Sequence, residues 1–97
     1  ERYGNGLVLH DCGEFVDDYA LDRRVRNDRG CLFEVAVTPA GALRGLRLRP
    51  VEIDSCAVHR ASPGAAAWLR EHVRERSGPF GLADAFDRRG EGLWLPV

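Results

Sequence analysis

The sequence predicts an α+β fold in which a mostly antiparallel sheet of about five to six strands is covered by one main helix. Residues 31–38 alternate between two faces, which is typical of a half-buried strand. Leu46 and Leu48 alternate with arginines in a second such segment. Residues 62–77 instead repeat apolar side chains at helical spacing. The resulting order, β-β-loop-β-β-α-β, is typical of the α+β class.

The first element is a predicted hairpin near the start of the chain. Asn5 and Gly6 lie between short apolar stretches, and both residue types tolerate the positive φ angles of a type I′ turn. The second arm, Leu7 to Cys12, reads as a buried strand.

The two alternating segments are predicted to form the centre of the sheet. Residues 38–41 supply the turn between them, with a proline that presets φ at its second position. Leu46 and Leu48 occupy even positions, but the apolar residues after Pro50 occupy odd ones. Because proline cannot donate to a sheet ladder, a bulge or edge kink at Pro50 would explain the change of phase.

Strong local signals define the ends of the helix. The Ser62 side chain can cap the free N–H groups, and Pro63 suits the first helical position. A Gly-Pro pair at 78–79 ends the helix. Residues 87–90 then read as a turn, and residues 93–95 as a final strand.

Length and charge exclude several classes of protein. The chain has 97 residues and a net charge of −1, and all 14 of its basic residues are arginine. This balance argues against a dedicated nucleic-acid binder, which needs a basic surplus. No apolar run approaches the ~20 residues that span a bilayer, so no membrane segment is expected in the chain. There is no Met, and the first residue is Glu1, which predicts a fragment, a processed product or a trimmed chain.

The cysteines predict a reducing environment. Cys12, Cys31 and Cys56 form no CxxC pair, which argues against a structural zinc site. An odd number of widely spaced cysteines is typical of reduced thiols. Cytoplasmic localisation is therefore favoured, although a membrane-associated parent protein stays open.

The loop between the hairpin and the central strands is the sharpest local feature. Residues 13–30 carry carboxylates beside four arginines, and such groups form charge-assisted pairs. One interpretation is a self-neutralising surface loop with ion pairs worth ~0–1 kcal/mol each. Another is a loop that shapes a polar pocket and places arginine near an anionic ligand. Calcium is disfavoured because the regular acidic spacing of a calcium loop is missing.

The histidines carry weaker signals. On the predicted strand, His10 and Cys12 share a face while Asp11 points away, so these three do not make a catalytic triad. His72 lies in the apolar stripe of the helix, which indicates a partly buried structural role. His59 stands alone in the sequence.

An ordered set of motifs covers most of the chain. Its pieces, in sequence order, are Cys12-Gly13-Glu14-Phe15, Asp18-Tyr19, Arg26-Asn27-Asp28-Arg29-Gly30, Pro50-Val51-Glu52-Ile53, Arg60-Ala61-Ser62-Pro63 and Trp68-Leu69-Arg70. The set resembles the C-terminal part of the bacterial capsule and poly-γ-glutamate biosynthesis (CapA-type) family. By this resemblance, residues 1–97 are a single partial domain, the C-terminal segment of a longer chain.

The resemblance implies a calcineurin-like metallophosphoesterase fold in the parent protein, with two sheets flanked by helices. Proteins of that fold bind two divalent metal ions, of the Mn or Zn class, through Asp, His and Asn motifs that end in Gly-His-x-His. These motifs are missing from this sequence, so we expect the chain by itself to hold no metal, no other cofactor and no catalytic residue. The resemblance implies a substrate-binding pocket edge formed by Glu14, Asp18, Arg26 and Asp28. There Arg26 would either bind an anionic substrate or close the loop internally.

Two kinds of partner follow from this interpretation. The first is the missing N-terminal part of the same protein. The second is another copy of the chain, since a sheet cut from a larger core is expected to pair through its exposed edge. The alternative interpretation is a self-standing α+β interaction module with no enzymatic role.

Overall fold

The computed structural model describes residues 1–13 and 20–97. Its elements are β1 Arg2–Tyr3, β2 Gly6–Leu7, β3 Arg29–Val37, β4 Leu43–Asp54, β5 Ala57–Arg60, α1 Pro63–Ser77, a 3-10 turn Gly78–Phe80, β6 Asp87–Arg89 and β7 Gly92–Pro96. The predicted α+β class is confirmed, with one α-helix and one five-stranded sheet in the described residues. The second sheet implied for the parent protein stays a prediction.

The sheet is built around the long strand β4. All of its strand pairs are antiparallel, and the main order is β3-β4-β7-β6. One edge of β4 pairs with β3 from Leu43 to Glu52. The other edge is divided, since residues 45–48 pair with β7 and residues 51–54 pair with β5. β4 therefore pairs with three of the four other strands, and β6 joins the sheet through β7.

The bulge predicted at Pro50 is wrong. Pro50 pairs in register with Cys31, and the register shift lies between Ala36 and Val37 instead. The Pro50 carbonyl accepts a hydrogen bond from the Ala61 amide at 3.2 Å. The N–H that proline lacks would point to the same edge, into the gap between the β7 and β5 ladders. The missing donor therefore interrupts neither ladder.

The N-terminal hairpin is confirmed, but its turn and its second strand differ from the prediction. Arg2 pairs with Leu7 and Tyr3 with Gly6, so Gly4 and Asn5 form the turn. Gly4 supplies the positive φ angle, at 58°. The strand predicted over Leu7–Cys12 is wrong, since β2 ends at Leu7. In the described residues, backbone pairing beyond Leu7 continues only to Val8, whose amide donates to the Glu1 carbonyl at 2.8 Å and whose carbonyl accepts a hydrogen bond from the Glu1 amino group at 3.0 Å.

The helix starts as the sequence predicts and covers one face of the sheet. Ser62 Oγ accepts a hydrogen bond from the Ala65 amide at 3.3 Å, and Pro63 occupies the first helical position. Leu69 and two alanines of the helix are buried. The core lies between this helix, the sheet and the segment that follows the helix. Its buried members are Cys31, Leu46, Leu48, Leu69, Leu82, Phe86, Leu93 and Leu95.

The C-terminal hairpin contains a strand that the sequence analysis read as a turn. Asp87–Arg89 form β6, which pairs with β7. The turn lies two positions later, with Gly90 and Glu91 at its centre, and Gly90 has a φ of 61°. The final strand over residues 93–95 is confirmed within β7.

Two predictions about the surroundings of the chain remain predictions. Among the described strands β3 pairs only with β4, and its Val35 and Val37 are 51% and 59% exposed. Pairing of the other edge of β3 with a second copy stays a prediction. Cytoplasmic localisation likewise stays a prediction. Within the described ranges, the single 15-residue helix is neither long nor apolar enough to cross a membrane.

Candidate functional site

The loop that precedes β3 is held together by the side chain of Asn27. Its Oδ1 accepts a hydrogen bond from the Asp22 amide at 2.8 Å, and its Nδ2 donates to the Ala20 carbonyl at 3.2 Å. The Arg26 amide also donates to the Asp22 carbonyl at 2.8 Å. These bonds hold residues 23–28 in consecutive turns that lead directly into β3.

Arg26 and Asp28, two of the predicted pocket-edge residues, bind each other. Arg26 Nε donates to Asp28 Oδ1 at 2.9 Å, and a terminal nitrogen donates to Oδ2 at 2.6 Å. This bidentate bond holds the pKa of Asp28 below its usual range and raises the pKa of Arg26. Both side chains are mostly shielded from solvent. The arrangement closes the loop internally, and binding of an anionic substrate by Arg26 stays a prediction.

The pair is attached to the sheet through the backbone of Asp28. Its carbonyl accepts a hydrogen bond from the Ile53 amide at 2.7 Å, near the end of β4. Arg26 has a φ of 52°, in the left-handed region that a residue with a Cβ enters at a cost. The bidentate bond and the turn bonds around it offset that cost. The other two predicted residues, Glu14 and Asp18, lie outside the described residues.

A cavity of about 600 Å³ lies beside this loop, at the end of the β4–β5 hairpin. Its volume is within the range of small-molecule sites. The residues that line it are Leu21, Asn27, Asp28, Glu52, Ile53, Asp54, Ser55, Cys56, His59 and Arg60. The cavity therefore unites the predicted loop with a hairpin that the sequence analysis did not identify.

The charges around the cavity are predominantly negative. Asp28, Glu52 and Asp54 line it with one arginine, Arg60. Two of the carboxylates already have partners: Asp28 binds Arg26, and Glu52 Oε1 accepts a hydrogen bond from the Ser62 amide at 2.7 Å. Glu52 thus fixes the start of the helix relative to β4.

The turn that borders the cavity is conformationally strained. Ser55 and Cys56 have φ angles of 50° and 59°. Both central positions of a type I′ turn require such angles, and Asn-Gly is the usual sequence there. Backbone of this kind costs roughly 1–2 kcal/mol per non-glycine residue, and it is maintained by the four residue pairs of the β4–β5 ladder. This unusual turn sequence also explains why β5 was missed.

The described residues do not fit a metal centre. In residues 1–13 and 20–97, no group of three or more His, Cys, Asp and Glu side chains could hold a metal ion. The predicted shared strand face of His10 and Cys12 is wrong, because β2 ends at Leu7. His10 Nε2 instead lies 2.9 Å from the Glu1 carboxylate, and its ring stacks on Phe80.

His72 lies in the partly buried environment that its position in the apolar stripe of the helix predicts. It is half-buried, and its ring stacks on Trp68 with a centroid distance of 4.6 Å. The Arg29 guanidinium lies over the same indole, 5.2 Å from the ring centroid. The three side chains pack the helix against the start of β3.

The cysteines differ sharply in environment. Cys31 is buried in the core, and burial raises the pKa of its thiol to about 11. Cys12 and Cys56 are exposed, and all three thiols are free.

Comparisons with known proteins connect the chain with polymer synthesis proteins. No family model and no solved structure matches it. Two curated relatives, both from Mycobacterium tuberculosis strains, are named probable polyglutamine synthesis accessory proteins. Each is 30% identical to this chain over 86 residues, which cover 84% of the chain. The chain spans only 23% of the length of these relatives.

Proposed function

We propose that this chain is the C-terminal segment of a CapA-type protein that serves in poly-γ-glutamate synthesis. The observation that carries the proposal is the 30% identity along 84% of the chain to relatives named for polyglutamine synthesis. The small share of each relative that is matched, 23%, supports assignment to one segment of a longer protein. The ordered motifs from Cys12 to Arg70 support the finer, CapA-type identity.

In this proposal the segment has a structural and pocket-forming role. It supplies sheet strands and the loop closed by Arg26 and Asp28, which borders the 600 Å³ cavity. Glu14 and Asp18 would complete the edge of the substrate pocket. Any divalent metal ions would be held by the remainder of the protein, because the described residues offer no ligand set.

The proposal is tested in the source organism by measuring polymer output. Strains would carry the parent gene with codons 1–97 of this segment deleted, or with R26Q or D28N. Polymer would be quantified as glutamate released by acid hydrolysis. We expect the deletion to abolish the polymer and both substitutions to reduce it, because each leaves one charged partner unpaired in the loop.

Arg24 provides a matched control for these variants. It lies in the same loop, but its side chain is 92% exposed, and its Nε comes no closer than 3.9 Å to the carboxylate of Asp22. R24Q removes the same charge and should leave polymer output unchanged. Normal output from the deletion strain would contradict the proposal and favour the interaction module with no enzymatic role.

The metal assignment has a separate test on the isolated chain. We expect calorimetric titration with Mn²⁺ or Zn²⁺ to show no two-site binding, and a phosphoester substrate to remain intact. Stoichiometric binding of two ions with turnover would refute the assignment of the metal site to another part of the protein.

A further inference from the structure

A second concave site lies on the sheet face opposite the helix. Arg47 of β4 pairs across the ladder with Trp94 of β7. The guanidinium of Arg89, on β6, lies over the indole, 5.6 Å from the ring centroid. These three side chains line a cavity of about 230 Å³, which we call the Arg–Trp slot.

The slot depends on a glycine beneath the indole. A Cβ atom at Gly45 would overlap Cζ2 and Cη2 of Trp94 and would lie 2.7 Å from the Leu95 carbonyl oxygen. Only a residue without a side chain lets the indole lie across β4 at this point. The ring is thereby fixed beside Arg47, with one part of its surface in the slot.

The arginines of the slot lack acidic partners. Arg47 Nε is buried and makes no hydrogen bond within the described part of the chain. Glu34 faces Arg47 across the β3–β4 ladder, but its carboxylate binds Arg49 at 2.7 Å. Arg89 likewise forms no ion pair among the described residues. Two guanidinium groups at one indole therefore have unused donors, and an oxyanion is the ligand that satisfies them.

We propose that the Arg–Trp slot binds carboxylate groups of a poly-γ-glutamate chain, one group at a time. The identity of the polymer rests on the proposed function, whereas the preference for an oxyanion rests on the slot alone. A volume of 230 Å³ is below the ~300–1,000 Å³ of sites that enclose a whole small ligand. It suits one acidic side group, with methylene groups of the polymer packed on the indole.

One nearby carboxylate opposes such binding and gives the proposal an additional test. Asp87 pairs across the β6–β7 ladder with Trp94 and so shares its face of the sheet. Its negative charge would repel a bound carboxylate. Removal of that charge by D87N should therefore strengthen binding of the polymer.

The test is a titration of the chain with purified oligo-γ-glutamate, followed by calorimetry and by NMR of the two indole N–H groups. We expect R47Q and R89Q each to weaken binding about tenfold or more, because each removes a charge-assisted hydrogen bond. R88Q is the matched control: it removes the same charge from the adjacent residue, which lies opposite Leu93 on the helix side of the sheet. Its affinity should remain within about twofold of the wild type.

The NMR measurement keeps the test valid if an arginine variant fails to fold. In the wild-type chain the Trp94 indole resonance should shift on titration, while that of Trp68, covered by His72 and Arg29, should not. Absence of binding, equal weakening by R88Q, or a shift confined to Trp68 would overturn the proposal. Inorganic phosphate that binds the slot as tightly as oligo-γ-glutamate would overturn the assignment to a carboxylate polymer.

These outcomes are distinct from those that test the proposed function. If the deletion strain loses the polymer but oligo-γ-glutamate does not bind the Arg–Trp slot, the proposed function stands and the proposed binding site is refuted. If oligo-γ-glutamate binds the slot but the deletion strain makes normal polymer, the binding site stands and the proposed function is refuted.

Discussion

The close approach of β7 to β4 predicts a strong effect of the smallest possible substitution, Gly92→Ala. A Cβ atom at Gly92 would lie well inside van der Waals contact with the Leu48 carbonyl oxygen, 3.3 Å from its carbonyl carbon and 3.4 Å from Pro50 Cδ. The first two obstacles are backbone atoms, which cannot rotate away as a flexible side chain would. One of the two strands must therefore shift, at the point where their ladder ends.

The magnitude follows from two opposing effects. Overpacking of a closely packed site costs about 1–3 kcal/mol. Because the obstacles here are backbone atoms, we expect a cost near the upper end of that range. Replacing glycine by alanine also lowers the entropy of the unfolded chain, which stabilises the folded protein by about 0.4–1 kcal/mol. The net loss of unfolding free energy is about 2 kcal/mol. For a domain of this size, that lowers Tm by roughly 8–16 °C.

The assay is thermal unfolding followed by far-UV circular dichroism, with Gly64→Ala as the matched control. Gly64 is the second residue of the helix, and a Cβ atom there would meet nothing within 4 Å. The control should therefore raise Tm by a few degrees, because alanine favours the helix by up to about 1 kcal/mol. If Gly92→Ala melts at or above the wild-type temperature, the close contact between β4 and β7 is refuted.

Three further predictions concern the loop, the core thiol and the helix cap. Because the pKa of Asp28 is lowered in the folded state, its contribution to stability is present above the unfolded pKa of about 3.9 and is lost as pH falls through the folded value. In urea unfolding between pH 7 and pH 2, the unfolding free energy of the wild type should fall with acid, and that of Asp28→Asn should fall less. An equal pH dependence of the unfolding free energy in the two proteins would contradict the ion pair. Since burial raises the pKa of Cys31 to about 11, a thiol reagent at pH 8 should modify Cys12 and Cys56 rapidly and Cys31 only on unfolding, and three equally fast thiols would contradict its burial. Ser62→Ala should lower the unfolding free energy by about 1 kcal/mol in chemical denaturation, through loss of the cap, whereas Ser62→Thr should retain most of it.

Much of the fold could be predicted from the sequence because its central elements carry strong periodic signals. The alternation at Leu46 and Leu48, with the Ser-Pro start of the helix, identified β4 and α1. The missed strand β5 follows a turn whose two central residues, Ser55 and Cys56, are of types that rarely adopt positive φ. Tertiary pairing there overrides local preference, and a rule based on turn residues has no means of detecting it.

The candidate site was predictable only in part, for a similar reason. The loop with Arg26 and Asp28 is evident in the sequence as a run of acidic residues and arginines. Its neighbour in the cavity, Glu52, is 24 positions further along and is brought there by the pairing of β4 with β3. The Arg–Trp slot likewise depends on the register between Arg47 and Trp94. Neither register is encoded in the local sequence around these residues.

The divided edge of β4 has a consequence for how the molecule opens. Arg49 and Pro50 lie between the two ladders on that edge and belong to neither. The β5 hairpin and the β6–β7 hairpin can therefore separate from β4 independently, in the manner of local unfolding units. The amides of β5 and those of the β6–β7 hairpin should accordingly exchange at two different rates. A ligand that slows amide exchange in one hairpin should leave exchange in the other unchanged.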